Sequence, residues 1–179
     1  MQFVAFLRNV NLGQPKSPTR PQLESAFQQA GAAATASFLS NGTLVYTAAG
    51  GRAAESIARR AAVLLRAECG LTEPLFVRSL RRLVALAAED PFAGLDDAPD
   101  TRRMFTVFDP AGAPRITVPL ESARRDCLIL RLDAGEAFSL VRMVGGQTGY
   151  PTPVLEKALG RPVTTRSWTT ILRLVQKHG

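Results

Sequence analysis

Met1-Gln2-Phe3-Val4-Ala5-Phe6-Leu7-Arg8-Asn9-Val10-Asn11-Leu12-Gly13 decides the fold reading, because five consecutive apolar residues stop abruptly at an arginine, two asparagines and a glycine. Apolar side chains at both parities of an extended chain read as a strand buried on both faces. The polar residues after it read as a loop delivered to one edge of the fold. Working outward, Thr19 and Gln22 form a capping box with Pro21 in the first turn, ahead of Leu23, Ala26, Phe27 and Ala30 at helical spacing; Gly31 supplies the stop. Phe38-Leu39 and Leu44-Val45-Tyr46 flank Asn41-Gly42, a dipeptide that favours a tight hairpin turn. A second helix carries Ile57, Ala61, Leu64, Leu65 and Glu68 near the helical period and ends at Gly70, and Leu75-Phe76-Val77 gives a further strand. Residues 1–79 therefore read strand, helix, strand, strand, helix, strand.

A helix from Leu80 to Ala88 leads into the acidic connector Glu89-Asp90-Pro91-Phe92-Ala93-Gly94-Leu95-Asp96-Asp97-Ala98-Pro99-Asp100, so residues 80–102 are the expected join between two halves. Residues 103–179 read as a second half built like the first. Strands are expected at Met104 to Phe108, Asp126 to Leu132 and Ala137 to Val144, helices at Pro153 to Leu159 and Trp168 to Lys177, and a short strand near Pro162-Val163. Strands and helices mixed at such short spacing point to layered α+β halves.

With 46% hydrophobic residues, the 179-residue chain can build a sizeable core. No uncharged apolar stretch approaches the roughly 18 residues that cross a bilayer, and Cys69 and Cys127 match no metal spacing. A soluble, unprocessed, cytoplasmic chain with two reduced thiols, no membrane partner and no cofactor is the expectation. The net charge of +7 raises a polyanion partner. Against that, 19 of the 22 basic residues are arginines scattered over segments of different type, as a coding bias would leave them.

Most catalytic chemistries find no residues here. The one histidine, His178, sits at the penultimate position, where a terminus is expected to fray. Asp96, Asp97 and Asp100 read as solvated connector residues rather than a metal site, and Gly145-Gly146-Gln147-Thr148-Gly149 as a flexible loop lacking P-loop spacing. Arg52, Arg59 and Arg66, seven apart, read as a solvated helix face with Glu55 positioned to support Arg59. Trp168 with Ile171, Leu172 and Val175 forms a stripe that anchors the last helix.

Three polar strings remain: Arg8 to Gly13, Ser40-Asn41-Gly42-Thr43, and Thr164-Thr165-Arg166-Ser167-Trp168-Thr169. In this order they resemble the domain of unknown function 1697 family, whose members carry Arg-Gly-Ile-Asn-Val-Gly, Gln-Ser-Gly-Asn and Thr-Thr-Arg-Asn-Trp-Asn at the same places. Asp90-Pro91-Phe92 is similar to the family's Asn-Pro-Phe. The resemblance implies two tandem ferredoxin-like halves of βαββαβ type, with antiparallel sheets, and no established activity. The apolar runs predict sheets covered on both faces. The departures are Asn9 for glycine, Ser40-Asn41-Gly42 for Ser-Gly-Asn, and Ser167 and Thr169 for the asparagines beside Trp168. They preserve turn and capping chemistry while removing specific amide contacts.

The expected function is a small non-catalytic protein that binds an anion, a nucleotide or RNA phosphate, through Arg8, Asn11, Lys16, Ser40, Asn41, Thr165, Arg166 and Ser167. Ser167 caps the last helix, whose first amides attract anions, and Arg166 adds a fixed charge. The expectation requires the three strings to gather at one basic pocket. Two rivals stand beside it: a metal-independent enzyme acting on a phosphorylated or acyl substrate, and a structural or partner-binding protein whose strings lock the halves.

Overall fold

The computed structural model describes residues 1–95 and 98–179. It divides into two compact units, Met1–Val84 with His178–Gly179, and Ala85–Lys177. Asp96 and Asp97 of the acidic connector lie outside the described residues.

The first unit runs β1 (Gln2–Leu7), α1 (Arg20–Gln29), β2 (Thr35–Phe38), β3 (Thr43–Thr47), α2 (Gly51–Cys69), β4 (Leu75–Ser79). Its antiparallel sheet has the order β2-β3-β1-β4. Every residue from Phe3 to Leu7 is buried. Phe3, Ala5 and Leu7 join one core with Leu23 and Phe27 of α1 and Ile57, Ala61 and Leu65 of α2. The capping box on α1 is present, with Thr19 and Gln22 bonding reciprocally, an arrangement worth about 1 kcal/mol. Tyr46 closes the core: its ring meets Phe27 edge-on at 5.0 Å and its hydroxyl donates to the Ala54 carbonyl at 3.0 Å. The outer edge of β2 is guarded by α1, where Glu24 accepts from Ser37 N and Arg20 donates to the Ser37 carbonyl. That occupies backbone groups another strand would otherwise pair with.

The hairpin is looser than the Asn41-Gly42 signal predicts. Phe38 faces Thr43, so residues 39–42 form a four-residue loop, with Leu39 at φ 58° and Gly42 at φ 68°. Tertiary contact decides it: Leu7 N donates to the Gly42 carbonyl at 2.8 Å, and a Cβ on Gly42 would stand 2.7 Å from Val10 Cβ.

The chain leaves the first unit along α3 (Leu80–Glu89). The second unit adds β5 (Thr101–Phe108), β6 (Leu120–Glu121), β7 (Cys127–Asp133), β8 (Glu136–Val144), β9 (Gln147–Thr148), α4 (Pro151–Leu159), β10 (Val163–Ser167) and α5 (Trp168–His178). Its antiparallel strands lie in the order β10-β5-β8-β7-β6, with β9 on β8. This is not the element order of the first unit. No helix forms between β5 and β7, where residues 109–126 run as loop and β6. Pro110, Pro114 and Pro119 with Gly112 break any helical run there.

Three further expectations change. Gly145-Gly146 makes a two-residue turn between β8 and β9, at φ 59° and 75°, in place of a flexible loop. Cys127 and Ile129 are buried whereas Leu128 and Leu130 are half-buried, so that run alternates instead of burying both parities. In α5 the buried stripe is Trp168, Ile171 and Leu174, while Leu172 is 41% exposed. Leu155 and Leu159 of α4 pack with Phe108, Ile129, Val141 and Val163. Phe105, Phe138, Phe92 and Trp168 form a separate aromatic cluster, with Phe92 and Trp168 centroids 5.6 Å apart. Among the described residues no helix is long and apolar enough to cross a membrane.

Candidate functional site

Two of the three polar strings meet in the first unit. The β1–α1 loop starts where the apolar run ends and turns at Asn9, whose φ of 51° is a left-handed conformation that glycine and asparagine tolerate best. Leu12 N donates to the Ser40 carbonyl at 2.7 Å, which staples this loop to the β2–β3 loop. Asn11 N is held by Ser17 Oγ at 3.2 Å, and Lys16 stands at φ 61°. The side chains of Asn11, Lys16 and Ser40 are exposed, and none of the three makes a hydrogen bond or ion pair with another described side chain. Asn41 is turned inward, its Oδ1 accepting from Thr43 Oγ1 at 2.8 Å.

Arg8 pairs with an acid inside the fold. Its Nη1 forms an ion pair with Glu73, and Asn9 Nδ2 donates to the other oxygen of the same carboxylate at 3.1 Å. The Arg8 amide also donates to the Pro74 carbonyl at 3.0 Å. Glu73 has no mark in the sequence. It arrives because β4 pairs with β1, placing Leu75 opposite Leu7 and the residues before β4 beside those after β1.

The third string lies in the second unit, as strand and helix rather than loop. Thr164, Thr165 and Arg166 are buried within β10, which pairs with β5 along its whole length. Thr165 Oγ1 bonds Thr106 Oγ1 at 2.8 Å and Thr152 Oγ1 at 2.9 Å, a line of three hydroxyls that links β5 and β10 to α4. Arg166, on the opposite parity, is only 8% exposed and donates through Nη1 to Thr164 Oγ1 at 2.9 Å and to the Thr165 carbonyl at 2.8 Å. Burial lowers its pKa to about 10, against a smaller opposing influence of Tyr150. Ser167 does cap α5: its Oγ accepts from Thr170 N at 3.2 Å and shares a hydrogen bond with the Thr170 hydroxyl at 2.8 Å. The eight residues thus fall into a loop group, Arg8, Asn11, Lys16, Ser40 and Asn41, and a strand group, Thr165, Arg166 and Ser167.

The histidine and the buried cysteine belong to neither group. The His178 ring packs edge-on against Phe38 at 6.1 Å, so the expected fraying of that residue does not hold. The buried Cys127 thiol is pushed up to about 12 by desolvation, with Asp126 adding to the effect. Among the described residues no three His, Cys, Asp or Glu side chains gather as metal ligands do.

The sequence model of a family described as "Protein of unknown function (DUF1697)" matches residues 1–133. The fold is similar to that of the conserved bacterial protein SP0830 from Streptococcus pneumoniae, with a TM-score of 0.65 and 14% identity over 98% of this chain and 97% of that one. No curated protein matches the chain. At this identity the structural likeness speaks for the fold alone.

Proposed function

The chain belongs to the DUF1697 family of unknown function, and on that premise we propose that it is a non-catalytic binding protein for a phosphate-bearing anion, a nucleotide or an RNA phosphate. One observation carries this reading: Asn11, Lys16 and Ser40 present exposed, unengaged donors on two loops that the Leu12–Ser40 hydrogen bond holds together. A lysine and neutral donors suit a phosphate, and with the loop backbones held together only the side chains remain to be ordered on binding. Arg8 acts here through Glu73, fixing the angle at which the loop leaves β1, and Asn41 steadies the second loop. The strand group supports β10 and α5 from within the second unit.

The same bonds favour a second reading, in which the strings are structural throughout, because Arg8 and Arg166 both spend donors inside their own units. The first unit's βαββαβ order and its sheet order support a ferredoxin-like half. In the second unit β10-β5-β8-β7 repeats that strand order, with residues 109–126 standing where the first helix would be. Free thiols at Cys69 and Cys127 support the cytoplasm as its compartment.

The test is an NMR titration of the whole chain with AMP, pyrophosphate and a short RNA at low salt. Shifts concentrated at residues 11–17 and 40–41, weakened about tenfold by Lys16→Gln without a change in melting temperature, are expected. Absence of binding to all three probes refutes the reading. Loss of stability in Arg8→Ala and Arg166→Ala with no bound anion establishes the structural one.

A further inference from the structure

The second unit contains an open groove of about 340 Å³ that none of the eight candidate site residues line. Its wall is apolar, built by Phe108, Ile116, Leu132 and Leu159, and its rim carries Arg115. The loop along one side of it is held in place, since Arg161 Nη1 donates to the Asp109 and Ala111 carbonyls, each at 2.7 Å. The volume lies at the lower end of the range of small-molecule sites, which are mostly apolar with a few placed polar groups. Two charged residues are among its lining. Asp133 is engaged bidentately by Arg131, Nε to Oδ1 at 3.1 Å and Nη2 to Oδ2 at 2.7 Å. Arg115 is exposed and makes no hydrogen bond or ion pair with another described residue. An occupant must therefore match an apolar wall and one unspent guanidinium.

We infer that this groove binds a small carboxylic acid with an apolar body, its chain against Phe108, Ile116, Leu132 and Leu159 and its carboxylate on Arg115. Charge complementarity chooses this occupant over a neutral hydrocarbon, which would leave Arg115 unused, and over a phosphate, which would leave the apolar wall wet. The site is independent of the anion reading for the first unit, because its ligand differs and its residues do not overlap.

The experiment titrates the full-length protein with octanoate and, separately, with octanol, following backbone amide shifts. Octanoate is expected to saturate shifts confined to residues 108–116 and 132–135, and octanol to bind about tenfold more weakly. Arg115→Gln, an exposed change that removes no contact, should bring the two affinities within about twofold while leaving the melting temperature unchanged. Ala113→Phe, which places a ring against the opening, should abolish both. No saturation by octanoate up to about 10 mM overturns the proposal. So do shifts dispersed over other residues, or a preference for octanoate that survives Arg115→Gln. Phosphate titration signals at residues 11–17 and 40–41 are unaffected by any of these outcomes.

Discussion

Gly42→Ala tests how the two loops of the candidate site are held together. Two costs add at this position. The φ of 68° is one that a side chain makes unfavourable by about 1–2 kcal/mol, partly offset by the lower entropy of an unfolded chain with alanine, about 0.4–1 kcal/mol. A new Cβ would then stand 2.7 Å from Val10 Cβ, 2.9 Å from Val10 Cγ1 and 3.1 Å from Leu7 Cβ. Relieving such overpacking costs about 1–3 kcal/mol. Gly13→Ala separates the two, since Gly13 has φ 81° and nothing within 4 Å of the added atom. At about 2–4 °C per kcal/mol for a chain of this size, Gly13→Ala should lower the melting temperature by roughly 2–4 °C and Gly42→Ala by roughly 6–12 °C. Val10→Ala should rescue less than half of the difference, because it leaves the nearest atom, Cβ, in place. Calorimetry measures the three variants, and amide exchange at Leu7 and Leu12 reports whether the loops part. Equal shifts for Gly42→Ala and Gly13→Ala refute the reasoning, for they would show that the approach of Val10 relaxes at no cost.

Gly149→Ala should cost more than about 3 kcal/mol, because its Cβ would fall 1.9 Å from the Asp126 carbonyl oxygen, a backbone atom already accepting from Arg142 N; urea unfolding measures it, and a change below 1 kcal/mol contradicts the packing. Thr165→Val strands the hydroxyls of Thr106 and Thr152 and should cost about 1–3 kcal/mol, with Thr106→Val adding much less to it than it costs alone, as a double-mutant cycle will read. A thiol reagent at pH 8 should modify Cys69 in the native protein and both cysteines in denaturant, since Cys127 is 1% exposed with its thiol pushed up to about 12. That raised value means the folded state keeps the proton longer than the unfolded one. The contribution is intact below the ordinary thiol value of 9.0 and lost as pH climbs towards 12, so the stability difference between wild type and Cys127→Ala should shift against wild type between pH 8 and 11.

Local chemistry made much of the fold legible. Phe3 to Leu7 announced a wholly buried strand, the Thr19–Gln22 box and Gly70 marked helix ends, and the alternation of elements over residues 1–79 matched the first unit. These features depend on neighbours a few residues apart, so spacing alone reveals them. The polar strings were visible too, but not their use. A run such as Thr164-Thr165-Arg166 has no period that separates an exposed loop from a strand, and only pairing with β5 made it a buried edge.

Sequence alone marked the wholly buried first strand and the helix ends at Thr19 and Gly70, because burial preference and capping are properties of short segments. Tertiary structure alone decided that Glu73 takes up Arg8, that Ser40 meets Leu12, that Gly42 must be bare, and that Pro110 and residues 113–116 line a groove instead of forming a helix. Each of these depends on strands or loops distant in the chain being brought to within hydrogen-bond or contact distance, and the strand order that brings them there is set by the energy of the whole packed unit rather than by any segment of it.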